Sequence, residues 1–297
     1  MRNLKFLFIL YFLEATPISP GLNSWFSASK LSYAGGGSLF VSPNSRTSNP
    51  ASFSQNRSFA TSFVFYPAGI QAQSVSIFSP KKTQLTTVAI NHISYGAFKG
   101  YNEDAIPTEN YNSNETWLRF DFSNLLKNYP IRYGLSSQLY FSKLGDYYFT
   151  KLYFSSGIIW SLNKYKASIG FSVDDFSLDI RSNIKTSQNP PLRYSFGIRK
   201  ELKYLPLKIS IDYLSIGENN EDYFISGIFS ISNKINLSWG TSTRKFSQNT
   251  NENILRTIMG STGLGISIMK DDFIINYGLY YYGTGGLTNG IDLIIKF

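Results

Sequence analysis

From Ser58 to Phe297 the chain repeats one pattern, runs of residues in which apolar and polar or small side chains alternate. Such a period of two is what a β-strand requires, because successive side chains point to opposite faces. The runs lie near 58–66, 70–79, 83–94, 114–122, 130–142, 146–161, 165–174, 191–199, 205–214, 222–231, 234–242, 259–270, 272–283 and 288–297, fourteen in all. In the eighth, Leu192, Tyr194, Phe196 and Ile198 oppose Arg193, Ser195, Gly197 and Arg199. In the ninth, Leu207, Ile209, Ile211 and Tyr213 oppose Lys208, Ser210 and Asp212. Length separates water from membrane. A ten-residue strand is roughly 33 Å long, and a tilt of ~45° gives it a height of about 23 Å. The apolar band of a membrane-spanning barrel is about 25 Å tall, whereas strands in soluble sheets run nearer five or six residues. The expected fold is all-β, a transmembrane antiparallel β-barrel of about 14 strands.

The connections point the same way. Those after even-numbered runs are mostly short, such as Pro80–Lys82, Ser232–Asn233 and Asp271. The long ones, Tyr95–Ser113, Asp175–Pro190 and Thr243–Ile258, all follow odd-numbered runs. Barrels of this class have short periplasmic turns and longer outer loops. In the final run, Ile291, Leu293, Ile295 and Phe297 share one face, opposite Gly290, Asp292, Ile294 and Lys296. Alone, this stretch also suits the closing strand of a soluble β-protein. It resembles the C-terminal signal of bacterial outer-membrane barrels, a last strand ending in Phe. That likeness implies recognition by the barrel-assembly machinery.

Charged residues make up 16% of the chain, below the roughly 25% of soluble domains. The 21 Tyr and 24 Phe suit aromatic girdles at a membrane interface. Mean hydropathy is only −0.14, because every second residue of a barrel strand faces inward. The absence of Cys excludes disulfides and thiolate metal sites, and the single His92 excludes any two-histidine centre. The formal charge of +9 is spread among Tyr, Ser and Phe without a run of five bases, so nucleic acid is not expected as a partner.

Met1–Leu13 places Arg2 and Lys5 before the apolar Phe6–Leu13. This is the order of a secretory signal peptide, and it is too short to span a bilayer as a helix. With cleavage between Ala15 and Ser24, the chain divides into a leader (1–19), an N-terminal segment (20–57) and the barrel (58–297). The segment lacks alternation and is rich in turn formers, including Gly35, Gly36 and Gly37, then Asn49, Pro50 and Ala51. A flexible linker has the same composition. Ala-Gly-Gly-Gly followed by Asn-Pro-Ala resembles the N-terminal region of the fatty-acid-transporter superfamily of outer-membrane barrels, which includes the PorV and PorQ proteins of type IX secretion. Ala89–Gly100 and Gly170–Leu214 resemble strand-and-loop patterns of the same family. The chain lacks the extended outer loops of the fatty-acid transporters, and Ser42–Ser48 lacks the acidic residues usual before Asn-Pro. The likeness implies that the segment packs inside the barrel as a plug. It also implies a non-enzymatic outer-membrane protein that docks secreted or surface-attached partner proteins through its outer loops. A passive channel or hydrophobic-ligand transporter is the alternative.

Candidate chemistry is sparse. On the strand registers Arg119, Asp121, Arg132, Lys151, Lys166, Arg193, Arg199, Lys208, Asp212, Asp292 and Lys296 point into the lumen. Their mixed signs permit pairing that fills the interior, and the excess of bases permits a mildly anion-selective pore. His92 has Ser94 on its face and Asn91 on the other, which is the pattern of a rim or lumen histidine rather than of a triad. Glu103, Asp104 and Glu109 lack calcium-loop spacing. No catalytic, cofactor or metal residues are expected. The partners expected are outer-membrane lipid, secretion or surface-attachment proteins, and the assembly machinery.

Overall fold

The computed structural model describes residues 20–42, 44–52, 54–102, 104–183, 190–217, 220–247 and 258–297. The leader expected over 1–19 lies outside the described residues, as do parts of the outer connections. The strands are β1 (Ser58–Phe65), β2 (Gln71–Lys81), β3 (Gln84–Phe98), β4 (Tyr111–Leu125), β5 (Ile131–Leu144), β6 (Tyr147–Leu162) and β7 (Ala167–Ser182). They continue with β8 (Arg193–Glu201), β9 (Leu207–Ile216), β10 (Asn220–Ser230), β11 (Ile235–Ser242), β12 (Thr262–Lys270), β13 (Phe273–Tyr281) and β14 (Leu287–Lys296). Each pairs antiparallel with its sequence neighbours, and β1 pairs β14, so the sheet closes into a barrel without an edge. The described residues include two short helices, α1 (Ala28–Ser32) and α2 (Arg244–Ser247).

The alternation sorts the faces as the sequence implies. In β14, Thr288, Gly290, Asp292 and Ile294 are buried toward the lumen, and Ile291 is 43% exposed on the outside. Outward residues such as Val88, Phe120, Leu135, Ile158, Phe171, Ile211 and Leu264 form an apolar band around the wall. A barrel can leave these side chains uncovered only where lipid takes the place of water.

Strands β3 to β7 have 15, 15, 14, 16 and 16 residues, and all others have 8 to 11. The excess lies at the long-loop end. It corrects two expected loops: Tyr95–Ser113 gives up residues to β3 and β4, and Asp175–Ser182 is strand, not loop. β3 has a register shift between Ser94 and Gly96, and in β7 the reason is a β-bulge. Register shifts between Phe154 and Ser156 opposite β7, where Asp174 and Asp175 are both buried and Asp175 has φ 68°. One extra residue flips the alternation, so the pattern breaks while the strand continues. Lys166 is also corrected. It lies in the turn before β7 with φ 48°, exposed and 3.8 Å from Glu201, not in the lumen.

Candidate functional site

Residues 21–52 run inside the barrel and reach the wall at every strand. Asn44 donates to Ser62 of β1, and Ser74 of β2 donates to the Phe26 carbonyl. Asn91 of β3 donates to the Asn44 carbonyl, and Gly21 donates to Glu115 of β4 at 3.1 Å. Pro50 meets Gly134 of β5, Asn49 reaches β6 and β7, and Arg199 of β8 donates to the Leu39 carbonyl at 3.1 Å. Asp212 of β9, Phe224 of β10 and Gly240, Gly263, Gly278 and Asp292 of β11 to β14 complete the circuit.

Two carboxylates seat this segment. Asp292, fully buried, accepts from the backbone N–H of Ala28 (2.7 Å) and Ser29 (3.1 Å) at the start of α1, and from the hydroxyls of Ser27 and Ser29. Asp212 accepts from the N–H of Gly37 (2.8 Å) and Ser38 (3.1 Å), and from the hydroxyls of Ser38 and Ser210. These donors replace the water that a buried carboxylate has lost, and removing them would leave its oxygens unsatisfied. The glycine run makes the second seat possible. Gly35 and Gly37 have φ 86° and 64°, values that side chains rarely adopt, and they turn the chain after α1 so that two consecutive N–H groups face Asp212.

Asn49-Pro50-Ala51 is a third anchor. The Asn49 amide oxygen accepts from Ala51 N–H at 2.9 Å, closing a local turn. Its nitrogen donates to the Phe171 carbonyl at 3.0 Å and, at 3.4 Å, to that of Ile158. The wall opposite is bare backbone. A Cβ on Gly134 would overlap Pro50, on Gly157 Asn49, on Gly170 Leu39, on Gly240 Tyr33, on Gly263 the Leu31 carbonyl and on Gly278 the Ala28 carbonyl. Glycine inside a strand marks a close approach by another backbone. These inward glycines are the functional residues that the sequence reading passed over, and their placement on the polar face of the runs was the available signal.

The expected lumen charges divide. Arg119 is buried and pairs with Asp121 at 3.0 Å. Arg193 and Arg46 hold Asp175 between them at 3.0 and 2.8 Å, all three nearly free of solvent. Arg132 and Lys208 face inward but sit at the short-turn rim, where Arg132 donates to the Thr83 carbonyl and Lys208 is exposed. His92 faces outward, so it is not a lumen residue, and its Nδ1 lies 2.9 Å from the Thr116 hydroxyl. Lys30 is buried on the segment, with Nζ donating to the Gly36 carbonyl at 2.9 Å. Burial pulls its pKa down to about 8 despite the attraction of Asp212. Among the described residues no group of His, Asp and Glu is arranged to hold a metal.

Aromatic packing ties segment to wall. Phe26 meets Trp117 edge-on at 5.2 Å, and Trp117, Tyr140 and Tyr153 continue the cluster at 4.8 and 5.6 Å. Trp25 meets Tyr280 edge-on at 4.6 Å. Above this layer, at the long-loop end, a basin of about 670 Å³ opens on the tall side of the barrel. Ile70, Tyr95, Phe98, Tyr111 and Tyr147 line it, with Ser113, Asp146 and Asn183 as polar groups. Phe98 and Tyr111 stack at 5.4 Å across β3 and β4.

No family model and no curated protein sequence matches the chain. Solved structures do. The Pseudomonas putida toluene transporter TodX superposes with a TM-score of 0.59 at 11% identity, over 92% of this chain and 99% of that one. A TodX deltaS2S3 mutant, described as a monoaromatic hydrocarbon channel, gives 0.57 at 10%, over 91% and 98%. A Pseudomonas aeruginosa FadL homologue gives 0.52 at 9%, over 92% and 99%. At such identities the likeness speaks for fold alone. The chain has the fold of FadL-type bacterial outer-membrane barrels.

Proposed function

We propose that this chain is an outer-membrane transporter for a small hydrophobic ligand, which it first captures in the aromatic basin at its long-loop end. The basin carries the reading. It is concave, walled mainly by Ile70, Phe98 and tyrosines, with few polar groups, and its volume lies within the range of ligand sites. The neighbours of similar fold include a toluene transporter, and this chemistry suits the same class of apolar molecule. The N-terminal segment acts as the plug below the basin, so passage requires that it shift or that the ligand leave past it.

Binding of toluene and of a long-chain fatty acid to the detergent-solubilised mature protein tests the reading. Saturable binding should weaken about tenfold or more in Phe98→Asp, which introduces a charge into the apolar wall. No saturable binding of either ligand would count against transport.

A second reading is a silent docking barrel of the PorQ/PorV kind. Its support is the ion-paired, hydrogen-bonded segment that meets all fourteen strands. Such a barrel would bind secretion or surface-attachment proteins through its outer connections. Affinity capture from outer membranes that recovers no such protein would remove this reading.

A further inference from the structure

The short-turn end of the barrel carries a charge pattern that neither ligand capture nor docking uses. Five of its six turns hold an exposed lysine: Lys82, Lys127, Lys164, Lys203 and Lys234. The sixth, Asp271-Asp272, follows exposed Lys270. The long-loop end is mixed, with Asp104, Glu109 and Asp146 exposed beside Lys99, Lys143 and Arg181. Among the described residues the basic excess therefore lies at the short-turn rim.

The pattern is densest over the three successive turns between β4 and β9. Each places a lysine beside a tyrosine: Lys127 with Tyr129, Lys164 with Tyr165, Lys203 with Tyr204. Lys164 lies 5.8 Å from the Tyr165 ring and Lys203 lies 5.1 Å from that of Tyr204. Tyr204 is 86% exposed and Leu205 54%. Successive turns of this kind are two strands apart, roughly 10 Å. Directly above them the outward wall is apolar, through Tyr133, Trp160 and Ile198.

We propose that this arc binds anionic phospholipid head groups of the leaflet that surrounds the short-turn end. The inference rests on the membrane reading of the barrel. An apolar ring and an ammonium at one level match the boundary between acyl chains and phosphates, where tyrosines and lysines anchor membrane proteins. An acidic soluble protein would satisfy the lysines but would leave Tyr204 and Leu205 without an apolar neighbour. The arc follows the circumference at the lower edge of the apolar band, where the surrounding surface is lipid. Bases near an anionic surface add their attractions, so three turns acting together concentrate anionic lipid locally.

Trp160 supplies the test, since it is 48% exposed at this edge of the band. The mature chain carrying Trp239→Phe, with Trp25 and Trp117 buried in the lumen, is reconstituted into phosphatidylcholine bilayers. Brominated phosphatidylglycerol or brominated phosphatidylcholine is then added as quencher. The anionic quencher should reach half-effect at about a fivefold lower fraction, the equivalent of one lysine's attraction to such a surface. Lys127→Gln, Lys164→Gln and Lys203→Gln combined should abolish the preference, and Lys99→Gln with Lys143→Gln at the other end should leave it intact. Equal quenching by the two lipids, or a preference that survives the triple substitution, overturns the inference while leaving the membrane reading in place. Absence of quenching by either lipid overturns the membrane reading and this inference with it.

Discussion

At the scale of single residues, the lumen is a set of buried charges and bare backbone whose balance can be tested one side chain at a time. Asp175 pairs with two buried guanidiniums, Arg46 and Arg193. Asp175→Ala leaves both without that counter-charge, and the loss should be about 3–5 kcal/mol. It should appear as a lower temperature for the shift in electrophoretic mobility that accompanies barrel unfolding. Gly157→Leu attacks the other component. Its side chain would occupy the space of Asn49, so the segment must retreat. Overpacking of this kind costs about 1–3 kcal/mol, and here it should appear as faster proteolysis of residues 21–52 with the barrel intact. Lys30 gives the segment a pH dependence. Its folded pKa of about 8 lies below the ordinary 10.5, so between those values the unfolded chain holds more protons on this side chain. Stability from this site therefore rises as pH climbs from about 8 to about 10.5, and the full penalty, on the order of 3 kcal/mol, applies below 8. Hydrogen-exchange protection factors in residues 28–37, which are corrected for the base-catalysed intrinsic rate, should rise across that window, and Lys30→Met should remove the change.

At the scale of elements, alternation made most of the barrel legible. The predicted run 205–214 became β9 at Leu207–Ile216, and 288–297 became β14 at Leu287–Lys296. The failure at β7 has a physical cause. Asp174 and Asp175 both turn inward at a bulge, so a period-two reading must stop there, although hydrogen bonding to β6 continues to Ser182. The N-terminal segment was legible only as an absence of pattern with a glycine run and Asn-Pro-Ala. Its hydrogen bonds to the wall go to residues 18 to 265 positions away, such as Asn44 to Ser62 and Ser27 to Asp292. No local periodicity records such partners. For Phe297 we propose the role in assembly that the resemblance implies. Its ring is exposed with Arg57 above it at 5.0 Å and packs into no core. Deleting it should therefore reduce the yield of inserted barrel in cells and leave the unfolding temperature of the assembled fraction within a few degrees.

At the scale of the whole molecule, wall and contents are separable. Every strand has two hydrogen-bonded neighbours from the barrel itself, with none supplied by residues 21–52. A chain lacking that segment should still close, and water should fill the polar lumen around Asp212 and Asp292. In planar bilayers the intact mature chain should be nearly silent and the truncated one should show steady openings. Similar conductance from both would mean that the segment does not obstruct the lumen.

The sequence by itself determined the wall. A two-residue period specifies which side chains face each way, and strand length set against bilayer thickness specifies the medium outside. Both are properties of consecutive residues. Only the tertiary structure decided what occupies the inside. The glycines of β5 to β13, the carboxylates of β9 and β14 and the turns of residues 21–52 lie far apart in the sequence, up to 265 positions for Ser27 and Asp292. Their complementarity exists only once the barrel has closed around them.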